Sequence, residues 1–352
     1  MFCRFVLCLA AWCGSIPAVA QEPLGTPRAA GTSIRAVAAP QERDAVLQLI
    51  DHARHTYDLR SGGQSYDLKV RFTVNSGGVT RYDGEWQMED IFDPQEGLRW
   101  SATLPGAYSI TRVSSQGRLY SEETDGYVPL RLHEVRAALF DPLPASQGLK
   151  RTAIRTAAVT FKGKQLTCLL FSNAANAKPV RAWTETEECI DPESGLLRLH
   201  SQAPGRYYTY DYSNALQLGS HLLPSAVTIY DGGAVVTQIS VESLTEAAAI
   251  DPALFTPTVA MEANGRPVKL GPAQKLFRVS SVKPGSPVGT VAVFGLVTAS
   301  GELVEAHSLQ PSDPNSQAAL DAARNMSFSS AQNGAGPQQY FVLIVRRFVP
   351  SP

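Results

Sequence analysis

The stretch Tyr66-Asp67-Leu68-Lys69-Val70-Arg71-Phe72-Thr73-Val74 decides the fold. Its apolar side chains fall at every second position, with charged or hydroxyl groups between them. A period of two is that of a half-buried β-strand, because successive side chains leave opposite faces. Asn75-Ser76-Gly77-Gly78 then turns the chain. Alternation resumes with Tyr82, Gly84, Trp86 and Met88 against Arg81, Asp83, Glu85, Gln87 and Glu89. Two such runs with one polar face seed an antiparallel sheet that is solvated on one side.

Working outward, further strands are expected at 98–104, 107–114, 118–122, 157–162, 165–171, 182–190, 196–202, 207–212, 225–230 and 235–241. Turn signals recur at Asp125-Gly126, Ser194-Gly195 and Asp231-Gly232-Gly233. Before the first strand the period is 3.6. Val46, Leu47, Leu49, Ile50 and Ala53 form one stripe of a helix over 41–59, which Ser61-Gly62-Gly63 ends. A shorter helix is expected at 129–139. The fold class is therefore α+β, with a large antiparallel curved sheet or open barrel and covering helices over residues 41–258, and a small C-terminal unit after it.

Prolines 257, 267, 272, 284 and 287 mark a Pro-containing linker, 259–286. Residues 287–352 then have their own grammar. Strands are expected at 290–298 and 302–309 around Ser300-Gly301. A helix over 315–326 follows, with Asp313 as its N-cap, and a last strand over 339–348. That order, β–β–α–β, fills a small domain.

At the other end, Met1-Phe2-Cys3-Arg4 is followed by an uncharged apolar run closing on Ala18-Val19-Ala20. This is the pattern of a secretory signal peptide, residues 1–20, with an uncleaved inner-membrane anchor facing the periplasm as the rival reading. Residues 21–40, rich in Ala, Gly and Pro, read as a flexible leader. Cleavage would remove Cys3, Cys8 and Cys13 and leave Cys168 and Cys189, an even pair that reads as one disulfide in an oxidising compartment; two buried free thiols are the alternative. The expected location is the periplasm. The chain has 352 residues, 44% hydrophobic and 18% charged, with a net charge of −1. That supports packed cores and offers no basic stripe for nucleic acid.

Two resemblances add to this reading. Val291-Ala-Val-Phe-Gly-Leu-Val297, Ser300-Gly301, Leu303-Val304, Ala318-Ala-Leu-Asp-Ala-Ala-Arg324, Met326-Ser-Phe328 and Tyr340-Phe-Val-Leu-Ile-Val-Arg-Arg-Phe348 together resemble the TonB C-terminal domain. The resemblance implies partner binding by strand addition to an outer-membrane or envelope protein. It places the docking strip on the last strand, at Tyr340, Val342, Ile344, Arg346 and Phe348. The chain lacks the long Pro/Lys-rich arm of that family, so only the binding module is carried over. Residues 41–258 are similar to the LolA/LolB-like lipoprotein-carrier superfamily. The similarity rests on the opening helix, strand 65–74, Glu188-Cys-Ile-Asp-Pro-Glu-Ser-Gly-Leu196, Tyr210-Asp-Tyr212, Leu223-Pro224 and Ile250-Asp-Pro-Ala-Leu-Phe255. It implies a cavity for a lipid or acylated ligand.

Phe72, Trp86, Met88, Trp100 and Tyr108 would share the inward face of successive strands. They either fill a core or, in a barrel too wide to fill, line that cavity. Tyr208, Tyr210 and Tyr212 form a similar stripe. Neither a catalytic set nor a metal or cofactor site is expected. Ser280-Ser281-Val282-Lys283 matches S-x-x-K without its companion motifs. His52 and His55 read as solvent-facing. Glu89, Asp90, Asp93 and Glu96 read as a solvated turn, and Glu185, Glu187 and Glu188 as the wet face of a strand. The function expected is that of a non-enzymatic periplasmic cell-envelope protein that binds a hydrophobic ligand, a partner, or both. The alternatives are a TonB-type adaptor for transmembrane transport and a secreted hydrolase of unrecognised type.

Overall fold

The computed structural model describes residues 33–351, apart from 78, 79, 116, 174, 176–179, 248, 264–269, 334 and 335. The expected signal (1–20) and residues 21–32 of the leader lie outside the described residues. Among the described residues, no helix is long and apolar enough to cross a membrane.

The chain opens with β1 (Arg35–Ala36) and α1 (Pro40–Tyr57). Pro40 suits the first turn of α1, where an N–H would have no intrahelical acceptor. Val46, Ile50, Ala53 and Tyr57 recur at helical spacing and are buried. A run of antiparallel strands follows: β2 (Tyr66–Val74), β3 (Gly84–Asp93), β4 (Gly97–Leu104), β5 (Tyr108–Ser115) and β6 (Arg118–Glu123). α2 (Leu130–Phe140) interrupts the strands. The chain then returns through β7 (Ala153–Phe161), β8 (Lys164–Ser172), β9 (Thr186–Ile190), β10 (Leu197–Ala203) and β11 (Arg206–Asp211). A small hairpin, β12 (Leu216–Leu218) with β13 (His221–Leu223), precedes β14 (Ala226–Asp231) and β15 (Ala234–Glu246).

Thirteen of these strands form one sheet in the order β1-β7-β8-β9-β10-β11-β14-β15-β2-β3-β4-β5-β6. The seed strand, β2, lies inside it, with β15 on one side and β3 on the other. The register sets Phe72 opposite Trp86 and Val70 opposite Met88, so the period of two becomes one continuous apolar face. α1 and α2 pack on that face and close the main core.

The second unit begins earlier than expected. After the short helix α3 (Val259–Ala263), the thirteen-residue strand β16 (Leu270–Val282) occupies nearly half of the segment read as linker 259–286. It pairs in parallel with the distant β20, so no hairpin signal announced it. Then come β17 (Gly289–Val297), β18 (Leu303–Ser308), α4 (Ser316–Arg324), β19 (Ala331–Asn333) and β20 (Gly336–Pro350). Their sheet runs β16-β20-β17-β18. α4 covers one face, over Val291, Val293, Tyr340, Val342 and Ile344. The other face carries Ala292, Phe294, Leu296, Phe341, Leu343 and Val345, and packs on Leu130 and Ala203 of the first unit.

Two expectations need correction here. The end of the leader is not free, because Arg35 and Ala36 pair with Arg155 and Thr156 of β7. The docking strip Tyr340, Val342, Ile344, Arg346 and Phe348 is no sheet edge. β20 is bonded on one side to β16 and on the other to β17, and four of these five side chains are buried while Arg346 is half-buried. A strand with both edges paired cannot accept another.

Candidate functional site

Of the two readings open for Phe72, Trp86, Met88, Trp100 and Tyr108, a filled core or a cavity lining, the fold takes the core. Phe72 stacks on Trp86 with ring centroids 5.4 Å apart, and Trp86 meets Tyr108 at 5.6 Å. Met88 and Trp100 belong to the same buried cluster. Trp86 Nε1 donates to Tyr82 O at 3.0 Å, so even its polar atom is used within the fold. α2 lies across this end of the sheet, and close packing leaves these rings no ligand to meet.

The cavity lies further along the same sheet face, in front of β9, β10 and β11. Its volume is about 450 Å³, within the range of about 300–1,000 Å³ typical of small-molecule sites. One wall is the end of α2 and the turn after it, Ala137, Ala138, Pro142 and Leu143. Phe294 and Leu343 from the second unit form another wall, and β16 adds Ala273 and Lys275. The floor is the sheet itself, with Thr186, Glu188, His200, Gln202, Tyr208 and Tyr210. The two sheets therefore share the site.

The floor is polar. His200 Nδ1 lies 2.8 Å from Glu188 Oε2. Burial pushes the Glu188 carboxyl above its usual range, while the neighbouring imidazole opposes that shift. Lys275 Nζ donates to Thr184 O at 2.9 Å and to Gln202 O at 3.2 Å. Burial, helped by the nearby Arg181 charge, lowers its ammonium to about 8. Burial raises the Tyr210 phenol well above its ordinary value. Tyr210 Oη and Gln202 Oε1 are buried with no hydrogen-bond partner among the described residues. A buried hydroxyl without a partner is costly, and a bound ligand relieves that cost. The arrangement can hold a molecule with an apolar body and a polar or anionic end.

Beneath the seam between the units lies a closed set of charges. Arg131 Nη1 meets Glu134 at 2.9 Å, and its Nη2 meets Asp231 at 2.7 Å. Arg206 pairs with Glu134 and lies 3.6 Å from Asp231. All four are buried, two of each sign. The Arg206 guanidinium also stands 3.5 Å from the centroid of Phe294, so the second unit caps the network through a cation–π contact. Two backbone donors of the α2 entry complete the seam: Leu130 N donates to Glu305 Oε1 at 2.8 Å and Val128 N to Gln339 Oε1 at 3.2 Å.

Other sequence readings change in the fold. Asp90, expected on a solvated turn, is fully buried and accepts from Arg60 at 3.0 Å, Arg136 at 3.1 Å and the Tyr66 hydroxyl at 2.9 Å. Glu185, Glu187 and Glu188 are not a wet face. Glu185 is bidentate to Arg155 at 2.7 and 2.6 Å, Glu187 meets Arg181 at 3.1 Å, and Glu188 faces the cavity. Cys168 and Cys189 are opposite each other on β8 and β9 and form a disulfide. With both sulfurs so engaged, the cluster they make with Glu187 supplies no thiolate for a metal. His52 and His55 are exposed, and His55 stands edge-to-face with His221 at 5.3 Å. Ser280 Oγ accepts from Arg346 at 2.6 Å on β16. The cavity was missed because its floor comes from a tyrosine stripe and two long-range partners. Tyr208 and Tyr210 were its only mark in the sequence.

Neither a family model nor a curated protein matches the chain. Among solved structures, it is similar to a LolA superfamily protein from Nitrosomonas europaea, at 9% identity and a TM-score of 0.36, over 60% of this chain and 96% of that one. It is similar to a DUF1329 family protein from Desulfovibrio piger at 10% identity and a TM-score of 0.37, over 60% and 97%. A structure of MucB aligns over 87% of this chain and 93% of that one, at 11% identity and a TM-score of 0.29.

Proposed function

We propose that this is a non-enzymatic binding protein of the cell envelope, working in the periplasm, that holds a lipid or acylated ligand between its two sheets. The observation that carries this reading is the cavity of about 450 Å³, with apolar walls drawn from both units and Lys275 and Tyr210 among its polar residues. An acyl chain would lie against Ala137, Leu143, Phe294 and Leu343. A carboxylate or phosphate at its end would meet the Lys275 ammonium.

The test is displacement titration with dansyl-undecanoic acid. Ala137→Trp fills the space beside α2 and is expected to weaken binding by about tenfold or more, since a ligand and an indole cannot share it. Binding of the carboxylate is expected to weaken as pH rises through about 8, where Lys275 loses its proton. Unchanged binding in the Ala137→Trp variant, with its fold intact by circular dichroism, overturns the proposal.

The second unit supports a further role, contact with an envelope protein by strand addition. This role rests on the sequence resemblance of residues 287–348; the unit itself runs β16-β17-β18-α4-β19-β20, with one strand more before α4 and one more after it than the expected order. Because β20 is enclosed, that role requires another strand.

A further inference from the structure

The sheet edges of the molecule differ. β18 backs onto the first unit, with Glu305, Ala306 and His307 buried. β6 packs through Tyr120 against Phe255 and Met261. β1, the other edge of the large sheet, is only two residues long. β16 is a thirteen-residue edge, paired on one side only. Lys275 anchors its middle to the first unit, and beyond that residues 276–282 run along the surface. Phe277 is 48% exposed and Val279 69%, and Val288 in the following loop is 59% exposed. These are three of the six large apolar side chains exposed among the described residues.

The charged side chains of β16 and β20 themselves have one sign. The sequence holds no Asp or Glu between Glu262 and Glu302, and none after Asp321. Arg278 and Lys283 flank Val279, and Arg346 and Arg347 lie next door on β20, opposite Arg278 and Val279. These four cations form no ion pair among the described residues, although most other arginines of the chain do. An unpaired edge carrying apolar side chains is a template for another strand, and uniform charge selects which one.

We propose that residues 276–282 of β16 take up an extended, acidic segment of a partner protein as an added strand. Seven residues give a ladder about 23 Å long. The partner's backbone would complete the edge, apolar side chains would cover Phe277 and Val279, and carboxylates on the other face would meet Arg278 and Arg346, which the register sets opposite each other. A second copy of this chain fits poorly, since pairing β16 with itself would bring two all-basic strands together. A lipid surface leaves the free N–H and C=O groups of the edge unsatisfied. This inference rests on the partner half of the reading above and is independent of the cavity.

The test uses the full mature chain and three labelled octapeptides: alternating valine and glutamate, alternating valine and lysine, and an N-methylated form of the first. Fluorescence anisotropy is read together with hydrogen exchange. The acidic peptide is expected to bind at least about tenfold more tightly than the other two and to protect amides in 276–282. Arg278→Glu, a change on an exposed strand, is expected to reverse the preference for charge while leaving dansyl-undecanoic acid binding unchanged. Equal binding of all three peptides, no saturable binding, or protection elsewhere overturns the proposal. Protection of 276–282 by phosphatidylglycerol vesicles or by self-association, without peptide binding, overturns it in favour of those occupants. Loss of dansyl-undecanoic acid binding alone would count against the cavity reading and leave the strand untouched.

Discussion

At the residue scale, the decisive features are buried charges whose partners come from far along the chain. Arg206 is the clearest. Its neighbours Glu134 and Asp231 belong to α2 and β14, and Phe294 to the second unit. Removing one member of a closed set leaves the others charged and desolvated. Arg206→Met is therefore expected to destabilise the protein by about 3–5 kcal/mol, read as a fall in the urea midpoint at unchanged slope. A shift within the error of the extrapolation would mean that Arg131 alone satisfies both carboxylates. None of this could be read from the residues. Glu185 and Glu187 sit among Thr184, Thr186 and Glu188, and Asp90 follows Glu89, as solvent-facing residues do, and only their arginine partners reveal that they are inside.

At the element scale, local pattern carried most of the information. The alternation of β2 and the stripe of α1 translated into the strand and helix that formed, because a period of two or 3.6 states which face must be buried. β16 shows the limit. Most of its residues are those of a strand, yet Pro272 within it and Pro267 before it suggested a linker, and its partner β20 is parallel and some seventy residues away. A parallel partner leaves no turn signal. The cross-strand disulfide belongs to this scale too. Cys168 and Cys189 close a loop of 21 residues between adjacent strands. The double variant Cys168→Ala, Cys189→Ala is expected to lose about 3 kcal/mol of stability, and a reducing agent should lower the melting temperature of the parent but not of the variant. Equal responses of the two would show that the bridge contributes nothing.

At the scale of the whole molecule, two sheets behave as one body because they share a seam. Gly232, in the turn between β14 and β15, has a φ of +58°, and a Cβ there would overlap the carbonyl oxygen of Leu309 in the second unit. A turn read as a local signal thus also sets the distance between the units. The apolar patch around Leu130, Ala203, Phe294 and Phe341, with the capped charge network, predicts a single cooperative transition in calorimetry rather than two. A chain ending at residue 258 is expected to melt lower than the parent and to aggregate, since Leu130 and the Arg206 network would face water. Two well-separated transitions, or an unperturbed shortened chain, would show that the units fold alone. The sequence by itself determined the α+β class, the antiparallel run of strands and the placing of α1, α2 and α4, since each depends on periodicity or on turn chemistry; a count of thiols made one disulfide the leading reading, and the facing of β8 and β9 settled it. Only the tertiary structure decided that the aromatic stripe fills a core, that β20 is enclosed and β16 is the edge, and that the cavity lies between the sheets. Those outcomes depend on which distant segments meet, and a linear pattern carries no record of that.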